Sequence, residues 1–342
     1  MRAAAERPKQ DLLAAEREDA LAALAELVRD DLEACNRLIV ARMQSPVELI
    51  PKVSAYIIGA GGKRLRPLLT IACARLCGYR GSRHVKLAAC VEFIHTATLL
   101  HDDVVDDSAV RRGLASANAV FGNKASVLVG DFLFSRSFEL MVEDGSLDVL
   151  GILSRASATI AEGEVLQLMT QNDLGTTEAR YLDVIHGKTA ALFAAAARLG
   201  AVAAERPEEE QEALEGFGRK LGLAFQLADD VLDYAADPAR LGKAVGDDFR
   251  EGKVTLPVLV AFARGDAGEQ AFWRRTIEEL DQRDGDLATA IELMRRHGAL
   301  EETARRACLY AEQAKAELAL FPDRPEKRAL VDVAEFAARR AR

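Results

Sequence analysis

Residues 99–113 read LLHDDVVDDSAVRRG, placing Asp102, Asp103, Asp106 and Asp107 at the end of the apolar run VEFIHTATLL. Carboxylates gathered at the end of a segment patterned for a protein interior need positive charge beside them. On a helix Asp102 and Asp106 point the same way, one turn apart, with Asp103 on the flank of that face. The stretch FQLADDVLD repeats the device, with Gln226, Asp229, Asp230 and Asp233 at i, i+3, i+4 and i+7. One or two carboxylates per site suit Mg2+, which keeps its waters and shares itself with substrate phosphates. One such cluster reads as a solvated helix end. Two, each closing an apolar helix, read as paired metal-holding faces.

Basic residues complete the pattern. GAGGKRLRP sets Lys63, Arg64 and Arg66 just after a glycine-rich turn, where freed backbone amides and guanidinium donors can hold an anion. It is not a Walker loop, because GKR lacks the Ser/Thr and the spacing before it. Arg111 and Arg112 would follow the first aspartates by two to three turns if the helix continued. HGKTAALF supplies Lys188 and Thr189 in a helix otherwise lined with alanine, and LGKAVGDDFREGK supplies Lys243 and Lys253. A magnesium-bridged diphosphate is the simplest ligand that uses both charge sets.

Helical periodicity runs from about residue 11 to the end, while strand-like alternation is nearly absent. Breaks such as Gly59–Gly62, Arg111–Gly113, Glu143–Gly145 and Asp237–Gly252 leave stretches of bundle-helix length. The expectation is an all-α chain: residues 1–24 an N-terminal segment, partly disordered or helical, and residues 25–342 one domain. With 49% hydrophobic residues, the 342-residue chain can bury a large core, yet no apolar run is long enough to span a membrane. The net charge of −9 argues against nucleic acid as a partner. Five cysteines form no zinc pattern and read as free thiols. With no apolar secretory core at the N-terminus, cytoplasmic location is expected.

GGKRLRP, FIHTATLLHDDVVDDSAVRRG, GDFLFSRSF, HGKTAALF, FQLADDVLD and GKVTLP resemble, in order and spacing, the trans-isoprenyl diphosphate synthase (polyprenyl synthetase) family. The likeness runs from about residue 25 to the C-terminus. It implies an isoprenoid-synthase helical bundle around a deep apolar cavity, a homodimer, and Mg2+ as cofactor, two to three ions per site. By that resemblance Asp102, Asp106, Asp229 and Asp233 hold the metal on the allylic diphosphate, within an acidic set that includes Asp103 and Asp230. Arg111, Lys188, Lys243 and Lys253 bind the same diphosphate. Lys63, Arg64, Arg66, His95 and Arg112 bind isopentenyl diphosphate. Thr189 and Gln226 direct dipoles at the reacting carbons. His95 sits seven residues before Asp102, two turns down one face.

The same resemblance bears on product length. Short-chain members carry bulky aromatics four and five positions before the first aspartate, where this chain has Thr98 and Ala97, with Ile94 a turn below. Small residues leave the cavity open, as in the long-chain subgroup that makes octaprenyl to decaprenyl diphosphates for quinone side chains. Phe132, Phe138 or Met141 would then supply the floor. Rival readings are a shorter-chain synthase, a terpene cyclase, whose second metal motif differs from DDVLD, and a non-catalytic partner subunit, which would show damaged motifs. A greasy product also suggests release at a membrane surface, although no amphipathic anchor is evident.

Overall fold

The computed structural model describes residues 20–235 and 245–340. Lys243 and residues 1–19 of the expected N-terminal segment lie outside them, whereas residues 20–27 are helical, with Leu21 and Leu24 buried.

The chain folds as helices: α1 (Arg29–Arg42), α2 (Leu49–Gly59), α3 (Leu65–Leu76) and α4 (Arg83–Val105) come first. Then follow α5 (Ala117–Phe121), α6 (Asn123–Asp144), α7 (Leu147–Thr170), α8 (Glu178–Ile185), α9 (Ala191–Ala203) and α10 (Glu208–Ala235). The last are α11 (Asp247–Arg250), α12 (Leu256–Arg264), α13 (Ala267–Trp273), α14 (Asp286–Arg296), α15 (Ala299–Glu317) and α16 (Pro325–Arg339). Among the described residues the only β structure is a two-residue antiparallel ladder, β1 (Val110–Arg111) with β2 (Leu114–Ala115).

Local chemistry sets many of these boundaries. Ser116, Ser146 and Thr177 each accept the hydrogen bond of a backbone N–H in the first turn that follows. Asp266 and Glu269 form a reciprocal capping box on α13. Gly145 ends α6 in the left-handed conformation.

Why charges crowd the end of an apolar run becomes clear from α4. It is buried almost all round from His84 to Leu100, packed between α3 and α6 with α9 beside it, as expected of a helix with no polar face. Only its last turn surfaces. The main core runs through α1, α3, α4, α6, α7, α9 and α10. A second cluster around Tyr234, Phe249, Trp273 and Met294 packs α11–α14 beneath the end of α10. All five cysteines are free, three of them buried. No helix among the described residues is long and apolar enough to cross a membrane.

Candidate active site

The two acidic helix ends meet. Asp106 caps the C-terminus of α4, and Lys253 reaches to 3.8 Å from its carboxylate. The backbone N–H of Lys253 donates to the Asp248 carbonyl (2.9 Å), and the N–H of Asp248 donates to the Asp233 carboxylate (3.1 Å). This chain of contacts ties the end of α4 to the end of α10. Burial opposes the Lys253 charge, but Asp248, Asp106 and Glu251 outweigh it and hold the ammonium above its ordinary value.

The flanks are seated by close backbone crossings. α7 passes so near the π-helical turn His186–Ala190 that a Cβ on Gly163 would lie 2.7 Å from the Lys188 nitrogen, and one on Gly187 2.7 Å from the Gly163 Cα. The crossing brings Lys188 Nζ to 2.9 Å from Glu164. On the other side of the same turn, a Cβ on Gly222 of α10 would meet the Ala190 Cα at 2.6 Å. Thr189 thereby donates to Gln226 (2.9 Å), whose amide donates to Asp230 (2.9 Å). Lys188 and Thr189, expected in regular α-helix, thus lie in a wider turn, which the resemblance alone did not reveal.

The acidic residues divide into two kinds. Asp102 and Asp106 are half-buried at the mouth, as are Asp229 and Asp233. Asp103 and Asp230 are buried and hydrogen-bonded. Asp103 takes two hydrogen bonds from Arg111, Nε at 2.7 Å and Nη2 at 2.6 Å. Asp230 accepts from Gln226 and from the Tyr181 hydroxyl, the latter at 2.5 Å. Burial, then Glu164 and Asp106, push Asp102 up to about 7 against the pull of Lys188 and Arg111. Burial and Asp248 push Asp233 up to about 7 and Asp230 to about 8. Such crowding disfavours the carboxylate form and favours anything cationic placed between the groups.

The arginines sit otherwise than a continued helix would put them. α4 stops at Val105, and Asp107 and Arg112 take left-handed backbone (φ 47° and 53°) to turn the chain into the β1–β2 ladder. That fold-back returns Arg112 to the glycine-rich loop, where a Cβ on Gly62 would lie 2.8 Å from its Nη1. There a positive cluster forms. Arg66 donates to His95 Nε2 (3.2 Å) and lies 4.6 Å over the Phe193 ring. Arg64 pairs with buried Glu92, and Lys63 lies over Phe336. Burial lowers Arg66 to about 10, with Glu92 opposing and Arg112 assisting. Burial and then Arg66, Arg112 and Arg111 hold the His95 imidazole well below its usual range. The rim carboxylates outnumber the cations beside them, and the cluster of Lys63, Arg64, Arg66 and Arg112 has Glu92 among it; a metal-bridged anionic ligand answers both.

Among the described residues no three carboxylates, imidazoles or thiolates converge on one point. A cation here would therefore take one or two ligands from Asp102, Asp106, Asp229 or Asp233 and the rest from water and ligand oxygens, the habit of Mg2+. The donor set fits.

Comparison with known proteins agrees with this chemistry. A family model described as polyprenyl synthetase matches residues 47–294. The chain belongs to the polyprenyl synthetase family. It is 50% identical over 317 residues to octaprenyl diphosphate synthase of Escherichia coli strain K12, covering 93% of this chain and 98% of that one. The crystal structure of a decaprenyl diphosphate synthase from Rhodobacter capsulatus superposes with a TM-score of 0.90 at 53% identity, covering 93% of this chain and 98% of that one. A Caulobacter crescentus polyprenyl synthase, solved with calcium and isoprenyl diphosphate, gives a TM-score of 0.90 at 54% identity, covering 93% and 97%. Members of this family are prenyltransferases.

Below the rim, Ile94 and Ala97 are wholly buried on α4, and Thr98 is half-buried, donating to the His95 carbonyl. Of the expected floor residues, Met141 is buried and Phe132 half-buried under the Arg136 guanidinium. Phe138 is 39% exposed on α6, edge-on to Phe134.

Several site residues escaped the sequence reading. Glu164 holds Lys188, Tyr181 holds Asp230, and Arg340, just past α16, lies 2.6 Å from Asp229. Only the first left a signal: Glu164 and Gln167 stand at i and i+3 on α7, Gln171 follows just past its end, and both glutamines line the cavity beside Lys188.

Proposed function

We propose that this chain is a long-chain all-trans-polyprenyl diphosphate synthase. It would condense isopentenyl diphosphate repeatedly onto an allylic diphosphate such as farnesyl diphosphate, giving octaprenyl to decaprenyl products for quinone side chains. The observation that carries this reading is an acidic rim set against a basic cluster, with a buried alanine, Ala97, five residues before Asp102 on the same helix.

Mg2+ held by Asp102 and Asp106 and by Asp229 and Asp233 would neutralise the charge that develops on the departing diphosphate. Lys188 and Lys253 would hold the same diphosphate, with Arg111 locked in place by Asp103. Lys63, Arg66, Arg112 and neutral His95 would bind isopentenyl diphosphate. The allylic C1–O bond breaks, C1 bonds to the terminal alkene carbon (C4) of isopentenyl diphosphate, the positive charge passes to its C3, and a proton leaves C2 to restore an allylic diphosphate. No side chain at the rim is a dedicated base, and the released diphosphate can take that proton. The buried wall keeps water from the cation.

A homodimer and a cytoplasmic site of action belong to the same proposal. Leu128 and Val142 on α6, with Val165, Leu168 and Met169 on α7, form exposed apolar stripes that suit a second copy. Product release at a membrane surface follows from the chemistry of the product. Magnesium-dependent transfer of labelled isopentenyl diphosphate to farnesyl diphosphate tests the reading. No transfer by folded protein would refute it.

A further inference from the structure

A second cavity lies on the far side of the π-helical turn, in the groove where α7, α9 and α10 meet. It offers about 220 Å³, open to solvent on one side, against roughly 15 Å³ for one water. Each helix contributes one face: Ile152, Arg155, Ala156 and Thr159 from α7, the 191–198 face of α9, and Glu215 and Arg219 from α10. Alanines make the floor and guanidiniums the rim. His186 lines it, two residues from Lys188, which lines the cavity on the catalytic side, so a single turn of backbone separates the two.

The charges in it are unbalanced. Arg198 donates to Glu215 and Glu208, both at 2.5 Å, yet its Nε is buried without a partner. Arg155 and Arg219 form no ion pair among the described residues. Three guanidiniums thus face one lining carboxylate, Glu215. Burial, and then the nearby Arg219, hold the His186 imidazole below its usual value although Asp183 and Glu215 pull the other way. Arg198 is sheltered and Arg155 and Arg219 stand exposed beside it; guanidinium forks are the donors that recognise phosphate oxygens, and the alanine floor limits the occupant to something compact.

We propose that the groove between α7, α9 and α10 is a second anion site, separate from the catalytic mouth, that takes a compact phosphate-type oxyanion through Arg155, Arg198 and Arg219. Inorganic diphosphate and inorganic phosphate share this chemistry. Diphosphate is expected to bind the tighter, because its two phosphoryl groups can span guanidiniums on different helices.

The test is calorimetric titration of the full-length protein, with metal chelated, using each anion in turn. Wild type should bind diphosphate at two sites. Arg155→Ala/Arg219→Ala should weaken one of them at least tenfold and leave the other unchanged, with the melting temperature held, since both side chains are exposed and unpaired. Lys63→Ala/Arg112→Ala should weaken only the catalytic site. A tighter fit for phosphate than for diphosphate would name phosphate as the occupant and support the site. One binding site in wild type, a titration unaltered by the Arg155/Arg219 change, or complete loss of binding in the Lys63/Arg112 variant would each overturn it.

Discussion

Arg340 places its guanidinium 2.6 Å from the Asp229 carboxylate and 4.4 Å over the Phe225 ring. The end of the chain thus sets a tethered cation on one of the four carboxylates expected to hold metal. A divalent ion that uses Asp229 must compete with it. Replacing Arg340 with Ala should lower the Mg2+ concentration for half-maximal rate severalfold. An unchanged magnesium dependence would show that the pair opens freely.

Asp102→Asn and Asp229→Asn keep shape and remove charge. If these groups act through metal in the transition state, each should reduce turnover by about 10³-fold, some 4 kcal/mol. The melting temperature of Asp102→Asn should stay at or above wild type, because Asp102 is crowded by like charges, whereas Asp229→Asn also gives up the pair with Arg340. Steady-state rates beside thermal unfolding curves would separate a catalytic loss from a folding one.

The crossing of α7 over the π-helical turn has no room for a methyl group. Gly163→Ala should force the two backbones apart, destabilise the protein by about 2 kcal/mol and shift Lys188 from its seat. Turnover should fall further than stability alone explains. Full activity in a stable variant would mean that the position of Lys188 is loosely set.

Ala97 is wholly buried beneath the rim. Ala97→Phe should shorten the product while leaving the first condensation near its normal rate. Chromatography of dephosphorylated products would detect the change, and normal-length products would remove this face of α4 from the cavity wall.

A structural pair gives a pH signature. Burial opposes the charge on Asp31, but two hydrogen bonds from Arg75 (2.6 and 2.7 Å), with His84 beside it, hold the carboxyl below its ordinary 3.8. A depressed folded-state value means the stabilisation is present above the unfolded value and is lost as pH falls through the folded one. Asp31→Asn should cost about 2 kcal/mol at pH 7. The difference from wild type should shrink below about pH 4; a gap constant down to pH 3 would assign the effect to packing.

The parts legible from sequence are those whose chemistry is local. Asp102, Asp106, Asp229 and Asp233 stood out because charge closing an apolar helix is costly without a ligand, and i, i+4 spacing already fixes their direction. Lys63, Arg64 and Arg66 stood out against a glycine turn. Contacts between distant segments stayed hidden. Asp103 and Asp106 look alike in DDVVD, yet the first is buried against Arg111 and the second faces Lys253. Periodicity has no term for the left-handed residues Asp107 and Arg112 that end α4 and swing the arginines back. Nor could it place Arg340 on Asp229, since the terminal basic run reads equally well as a complement to the helix dipole.

The most direct test of the central claim is product length. Purified protein would be incubated with farnesyl diphosphate, labelled isopentenyl diphosphate and Mg2+, and the dephosphorylated products separated by size. A ladder ending between octaprenyl and decaprenyl is the expected result, in line with the lengths named for its relatives. Accumulation at geranylgeranyl length, with nothing longer at extended times, would contradict an open cavity beneath Ala97.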